Sequence, residues 1–584
     1  MLNQTYQTKE TNVLVIGCGG SGLRAAIEVK KAGLDVIILG KRSKFDSHTV
    51  LAAGGINAAF GNVDKEDCWE QHFADTYIEG YGIGDPLQIE LMVKEAPYSV
   101  TEIDNWGAKF EKLKNGKLDQ RFFGAHTYRR TCYSGDYTGR SILNSLLNKA
   151  ESMNIPIFDS QYVFELLVQD NCCKGALSID IKSSLRTAYL SNSVILCTGG
   201  NTKIWERSSS REKENTGDGY YLALKAGCEL RDMEMTQFHP SGMVYPNDVA
   251  GKLVTEAVRG EGGKLFNNKG ERFMINYDRE RMELSTRDRV AMANYIEIKE
   301  GRGSPNGGVY LDVSHIDKEI ILKRLPTIYK QYFDYQNLDI SKEPMEVAPT
   351  AHYSMGGIVV DPMNHQTSVK GLFAVGEVAG GLHGANRLGG NSLAEILVFG
   401  KIAGKASINL SKNQRSLKID NKIIKRAYKS LNDIQKYKLE NCNLLQNQLG
   451  KVMWEYCGVL KNEKSLKIGL SKIKEIKKSF SESKIDYSKD LNEIISGLDL
   501  IASLYSAEAS LLSSLSRKES RGAHQRSDYP KTSENEKCNY FIRRIFTEDK
   551  LEVYRKETSP LKINLSKIVE NTNSKFNIEK KLLE

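Results

Sequence analysis

The sequence predicts an α/β fold that opens with a Rossmann-like βαβ unit and continues into further domains. Three observations predict it. The apolar run Val13-Leu14-Val15-Ile16 leads into Gly17-Cys18-Gly19-Gly20-Ser21-Gly22, a G-x-G-x-x-G between a strand and a helix. Leu23, Ala26 and Ile27 then keep helical spacing, and a second apolar strand, Val36 to Leu39, completes the unit. Finally, 584 residues are too many for one hydrophobic core, so two or more domains are expected. In such a unit Gly17, Gly19, Gly20 and Gly22 let backbone approach a pyrophosphate, and the helix N-terminus offers it N–H groups. An acidic residue normally ends the second strand and holds a ribose hydroxyl. Here the strand ends Gly40-Lys41, which places Lys41 at the cofactor.

Composition narrows the function classes. The chain is 40% apolar and 27% charged, ordinary for a globular protein, and 82 basic against 73 acidic residues give +9. No basic stripe with interleaved aromatics is present, so nucleic acid is not an expected partner. The ten cysteines include no C-x-x-C and no C-x-x-C-H, which argues against a zinc, iron–sulfur or haem site in this chain. Cysteines such as Cys197, in an apolar strand, read as small buried hydrophobes in a reducing compartment. The first ten residues carry no apolar signal core, and no run approaches 18 apolar residues, so membrane contact is expected only through partners.

Further elements follow in order. Ile89 to Trp106 and Ser141 to Ala150 have helical spacing, with a loop-like stretch from Gly124 to Arg140 between them. Tyr162 to Val168 and Gly175 to Ile181 read as a small meander, and Ser193 to Cys197 as a strand returning to the main sheet. Asn215-Thr216-Gly217-Asp218-Gly219 opens a helix in which Asp218 suits an N-cap. Residues 236–351 have more loops and charge, the texture of an inserted domain. The strand Gly371 to Val375 then resumes the first fold, and the acidic Glu377 at its end is the candidate for the ribose. Beyond residue 405 glycines thin out. Ile424, Ala427, Leu431 and Ile434, and then Leu491 to Tyr505, read as amphipathic helices with solvated Lys-rich faces, followed by a polar tail. The expected domains are 1–235 and 352–405 for the nucleotide fold, 236–351 for an α+β cap, 406–515 for a helical domain and 516–584 for a small C-terminal domain.

Several clusters carry chemistry. Ser47-His48-Thr49 and Ala53-Gly54-Gly55-Ile56 follow the second strand. Gln237-Phe238-His239-Pro240, Thr255-Glu256-Ala257-Val258-Arg259 and Thr286-Arg287-Asp288 lie in the inserted stretch. Pro349-Thr350-Ala351-His352-Tyr353 and His383-Gly384-Ala385-Asn386-Arg387 come next, then Gly389-Gly390-Asn391-Ser392-Leu393. Together, in this order, they resemble the flavoprotein subunit family of succinate dehydrogenase and fumarate reductase from residue 11 to about 405, more faintly beyond. Glu519-Ser520-Arg521-Gly522-Ala523-His524 is also met in that family.

The resemblance implies an FAD-binding domain with a capping domain, and FAD joined covalently through His48. Thr49, Gly54, Gly55, Asp218, Ser392 and Leu393 then fall at flavin-contacting positions. It implies interconversion of succinate and fumarate, with His239, Thr255, His352 and Arg387 holding the dicarboxylate. Arg287 moves the proton, and Glu256 and Arg259 relay it to solvent. It further implies an iron–sulfur subunit, anchor subunits, a quinone, and a peripheral place on the cytoplasmic face of the inner membrane. The physics agrees with these roles. A dry site strengthens bonds to carboxylates, and Arg387 can grip one end bidentately.

Other readings compete. L-aspartate oxidase, a free-standing flavin oxidase, shares the Glu-x-x-Arg segment and much of the His383 to Leu388 run but lacks the flavin-linking histidine. Adenylylsulfate reductase differs around the substrate histidines. A non-enzymatic flavin scaffold predicts losses among His239, Arg287, His352 and Arg387, and all four are present. For Arg287 the plain alternative is an ion pair with Asp288 or Glu283.

Overall fold

The computed structural model describes residues 6–413, 418–434, 442–482 and 491–582; the start of the chain, residues 1–5, lies outside them. Strand β1 (Gln7–Ile16) runs into helix α1 (Gly20–Lys31) and strand β2 (Val36–Leu39), with β1 and β2 parallel. Val13, Leu14 and Val15 are fully buried, because a parallel strand is covered on both faces. Burying each such side chain stabilises the sheet by roughly 1.5–3 kcal/mol. The sheet has seven strands, six of them in the order Ile157–Phe158, β2, β1, Arg186–Leu196, Cys172–Asp180 and Gln161–Gln169. The last two form the expected meander. The seventh, Leu372–Ala374, pairs in parallel with the C-terminal half of Arg186–Leu196 (Leu372 opposite Val194), so the chain does return to its first sheet after residue 371.

The turn between β1 and α1 shows why glycines stand there. A Cβ on Gly17 would lie 2.0 Å from the Cys197 carbonyl oxygen, and its φ of +118° is one that side chains avoid. A Cβ on Gly22 would lie 2.0 Å from the Gly17 oxygen. These two glycines let strand, turn and helix close up. Gly19 sits at the N-cap of α1 with no side chain to cap the helix, and the Gly20 N–H goes to Thr49 Oγ1 instead.

A second, four-stranded antiparallel sheet follows the order Thr236–Met243, Met345–Ser354, Val309–Asp312, Lys264–Phe266. It has its own core, with Val254, Leu265, Leu311 and Tyr332 buried. Its two longest strands place His239 opposite Thr350, which brings the His239 and His352 rings to 5.2 Å between centroids.

The C-terminal third differs from the sequence expectation in two places. Helix Asn421–Ile434 is amphipathic as expected, with Ile424, Ala427 and Leu431 buried. Helix Leu491–Ser516 carries no lysine and is long and apolar enough to cross a membrane, yet 83% of its most apolar window is buried inside the protein. Its apolarity is that of a core helix. The polar tail is also structured. Cys538–Ile545 and Lys550–Glu557 form a hairpin paired with Leu230–Arg231. Helix Ile563–Leu582 packs on Trp69–Glu79, burying Leu565 and Val569 in the first core. The period of that helix is diluted by Asn, Ser and Lys, which hid its two anchor residues.

Candidate active site

One cavity of about 1760 Å3, counting its open mouth, runs from the β1–α1 turn to the second sheet. Its lining reaches from the glycine turn to the second sheet, as a long cofactor with a substrate beside it requires. Of the residues expected at the cofactor, Gly17, Gly19, Lys41, His48, Thr49, Gly54, Gly55, Asp218, Glu377, Ser392 and Leu393 line it. So do His239, Thr255, Glu256, Arg287, His352 and Arg387. Gly20, Gly22 and Arg259 do not. Gly20 donates its N–H to Thr49 Oγ1 (3.1 Å), Gly22 is packed against the turn, and Arg259 stands behind Glu256.

At the nucleotide end, Lys41 holds Asp499 (2.6 Å) and Asp218 (3.4 Å). Burial lowers the Lys41 pKa, but the two carboxylates outweigh it and the net shift is upward. Asp218 is not the N-cap: Gly217, with φ +80°, caps the helix, and Asp218 is its first residue. Glu377 is buried three residues beyond its strand and accepts the Ser354 N–H (3.0 Å). Burial raises its pKa despite the charge of His48 nearby.

At the other end two guanidinium groups meet one carboxylate, and a third stands beside them. Arg287 Nε donates to Glu256 Oε2 at 2.7 Å, and Arg259 lies 4.0 Å from the same oxygen. Burial raises the Glu256 pKa, but Arg287 and Arg259 outweigh it and hold the group at about 2, so it is ionised. Arg287 therefore pairs with neither Asp288 nor Glu283. Asp288 accepts from Tyr81 and Asn386, and Glu283 pairs with Arg272. Arg387 has no carboxylate within ion-pair distance among the described residues, and its Nε is buried without a partner. Burial and then the charge of Arg287 push its pKa down to about 9. It is a cation awaiting an anion.

Several contacts hold Arg387 in place. Its guanidinium lies 4.4 Å over the Tyr353 ring, and Tyr353 donates to Glu395 (2.5 Å), which also meets His383 (3.0 Å). The expected family segment near the C-terminus backs this stretch. Ala523 N–H donates to the Ala385 carbonyl (2.9 Å), and Gly522 approaches Ala385 too closely for any side chain. His239 and His352 are buried, and desolvation drives both pKa values well below the usual range, so both are neutral. His239 Nδ1 lies 3.2 Å from both the N–H and the carbonyl oxygen of Ser241, which hold the ring in place. His352 Nδ1 lies 2.9 Å from Ser209 Oγ.

Sequence reasoning missed Gln237, Phe123 and Glu214. Gln237 Oε1 accepts from Arg287 (3.1 Å) and from Arg387 (2.9 Å), tying the two guanidiniums together. Its signal was present, since residues i and i+2 of a strand share a face and His239 is two residues on. Phe123 lines the cavity from a loop. Glu214 lies 2.9 Å from His48 Nδ1, a contact between residues 166 positions apart that no local pattern announces.

Comparison with known proteins agrees with this geometry. A family model described as FAD binding domain matches residues 12–393, and one described as Fumarate reductase flavoprotein C-term matches residues 446–576. The chain belongs to the succinate dehydrogenase and fumarate reductase flavoprotein family. This flavoprotein is 42% identical to one chain of the fumarate reductase (CoM/CoB) of Methanothermobacter marburgensis, over 92% of this chain and 97% of that one. It is 37% identical to the succinate dehydrogenase flavoprotein of Rickettsia conorii, over 89% and 90%. The solved E. coli quinol fumarate reductase FrdA superposes with a TM-score of 0.90 at 31% identity, covering 95% of this chain and 98% of that one. The chain is thus an FAD-dependent oxidoreductase with an FAD-binding domain, a capping domain, a helical domain and a C-terminal domain.

Proposed function

We propose that this flavoprotein interconverts succinate and fumarate, with its FAD attached through His48. One observation carries the substrate class. Arg287 and Arg387 line the cavity joined through Gln237, and Arg387 has no carboxylate partner among the described residues, so it offers a charge to a substrate carboxylate beside the donors His239, Thr255 and His352. The cavity residues fit FAD: the glycine turn before α1, the Glu377 carboxylate, and His48 with one ring nitrogen engaged by Glu214. Bound FAD supplies the two-electron acceptor or donor for the hydride.

The protein's own residues do the rest. Arg387 clamps one carboxylate, and Gln237 fixes the spacing from Arg387 to Arg287. The neutral His239 and His352, with Thr255, donate to carboxylate oxygens and draw electron density from the carbon–carbon unit. Arg287 gives a proton to the substrate carbon or takes one from it. Glu256 and Arg259 carry that proton onward. Glu256, held near pKa 2, is a carboxylate and accepts the Arg287 Nε–H. An iron–sulfur subunit takes or supplies the electrons, a quinone is the far carrier, and anchor subunits keep the assembly at the cytoplasmic face of the inner membrane. The family relatives are named as subunits, and FrdA as a quinol enzyme, which supports that reading.

The Methanothermobacter relative is named for CoM/CoB, and its 42% identity favours a second reading of the electron partner alone, with the dicarboxylate site unchanged. Dye-linked assays test the site. Succinate should reduce the dye, fumarate should oxidise a reduced one, and malonate should block both. Turnover of aspartate in place of succinate overturns the proposal. Coupling of fumarate reduction to CoM and CoB, and not to quinol, selects the second reading.

A further inference from the structure

Around His48 lies an ion cluster that the dicarboxylate chemistry does not use. Glu214 Oε1 sits 2.9 Å from His48 Nδ1 and also accepts the Arg211 N–H at 2.7 Å. Its Oε2 accepts from Arg211 at 2.9 Å and lies 3.7 Å from Arg42 Nε. Arg211 and Arg42 both reach Asp46, on the short turn just before His48. Glu214 is thus buried and aimed at His48 from a separate segment of chain. A solvated surface would need no such arrangement, and a plain structural salt bridge is already complete between Glu214 and Arg211.

We infer that Glu214 is the positioning base for flavin attachment: it holds the His48 Nδ1 proton and thereby presents Nε2 as the nucleophilic nitrogen. The inference rests on the attachment proposed above and adds the residue that prepares it. Two further observations support it. His48 lines the cavity together with Thr49 and Gly54, in the space expected to hold the flavin. Burial depresses the His48 pKa, but Glu214 outweighs it and the net shift is upward, while the Glu214 carboxyl is held well below its usual range. Glu214 therefore stays a carboxylate and keeps a proton on the Nδ1 that faces it. A carboxylate that fixes a histidine tautomer through one nitrogen makes the other more basic.

In the covalent step, the Nε2 lone pair forms a carbon–nitrogen bond to a methyl carbon of the flavin ring, and that carbon gives up one proton. The imidazole carries positive charge as the bond forms, and its Nδ1 proton is taken by Glu214 and passed to solvent. The two electrons released enter the flavin ring and leave to an alkene dicarboxylate of the fumarate class, which takes up two protons and becomes saturated.

The test is the covalent flavin content of the full chain produced with its FAD. It is measured as the intact-protein mass increment and as flavin fluorescence that survives acid precipitation. The native chain should be fully modified. Glu214→Gln should bind FAD, with the covalent fraction at a fixed time at least tenfold lower. Glu214→Ala should show the same loss, and added formate, a diffusible carboxylate, should restore it in part. Acid-extractable flavin from the native chain overturns both the attachment and the role given to Glu214. A fully modified native chain with equally fast modification in Glu214→Gln overturns the Glu214 role alone. Where Glu214→Gln binds no FAD, formate rescue of Glu214→Ala decides for the role, and failure of rescue in folded protein decides against it.

Discussion

At the scale of single residues, the site divides its arginines by their surroundings. Arg287 is matched to Glu256 and Arg387 is not matched at all, so the two respond differently to substitution. In the proposed site, Arg387 holds a carboxylate in ground and transition states alike. Arg387→Ala should therefore raise the apparent KM at least tenfold and also lower kcat, because hydride geometry depends on the clamp. Arg287→Lys keeps the charge but loses the fork that reaches both Glu256 and Gln237. It should cut kcat by roughly two orders of magnitude, the share of a positioned acid–base group, with dicarboxylate affinity little changed. Steady-state kinetics with oxaloacetate binding followed through the flavin spectrum separates the two. Near-normal turnover with lost inhibitor binding in Arg287→Lys moves that residue into the clamp.

At the scale of elements, the sequence was most legible where structure is local. The β1–α1–β2 unit, the meander and the strand after Gly371 are set by periods of two and 3.6 residues and by glycines that no other residue can replace. The contacts that organise the cavity were not legible, because each joins distant positions: Glu214 with His48, Gln237 with two arginines, Asp499 of helix Leu491–Ser516 with Lys41. That buried aspartate also explains how a core helix tolerates a charge, since Lys41, Tyr162 and Thr216 all reach it. The turn gives a graded test. A Cβ on Gly22 meets a backbone oxygen at 2.0 Å, whereas one on Gly20 meets the flexible end of Ile396 at 2.5 Å. Gly22→Ala should lower stability by about 1–3 kcal/mol and release FAD, and Gly20→Ala should do markedly less, as read by denaturant midpoint and flavin retention. Equal effects would mean that the turn, not its packing on α1, sets the requirement.

At the scale of the whole molecule, the chain has the means for two-electron chemistry and, among the described residues, none for passing electrons onward singly. No group of three or more His, Cys, Asp or Glu suited to a metal ion occurs among them. None of the ten cysteines is in a disulfide, and eight are buried. Burial raises thiols such as Cys173 and Cys197 to about 12, so they are inert packing groups rather than redox relays. The helix apolar enough for a membrane is already used as core. On the proposed function, a one-electron carrier and any membrane contact are expected from other chains. Purified with its natural partners, the flavoprotein should bring a cysteine-rich subunit whose iron–sulfur absorbance bleaches on reduction by succinate. The assembly should reduce quinone, or accept electrons from CoM and CoB, while the separated flavoprotein should retain only dye-linked activity. A solitary chain that oxidises succinate with oxygen at the rate of the dye reaction needs no such carrier, and that outcome would return it to the class of free-standing flavin oxidases.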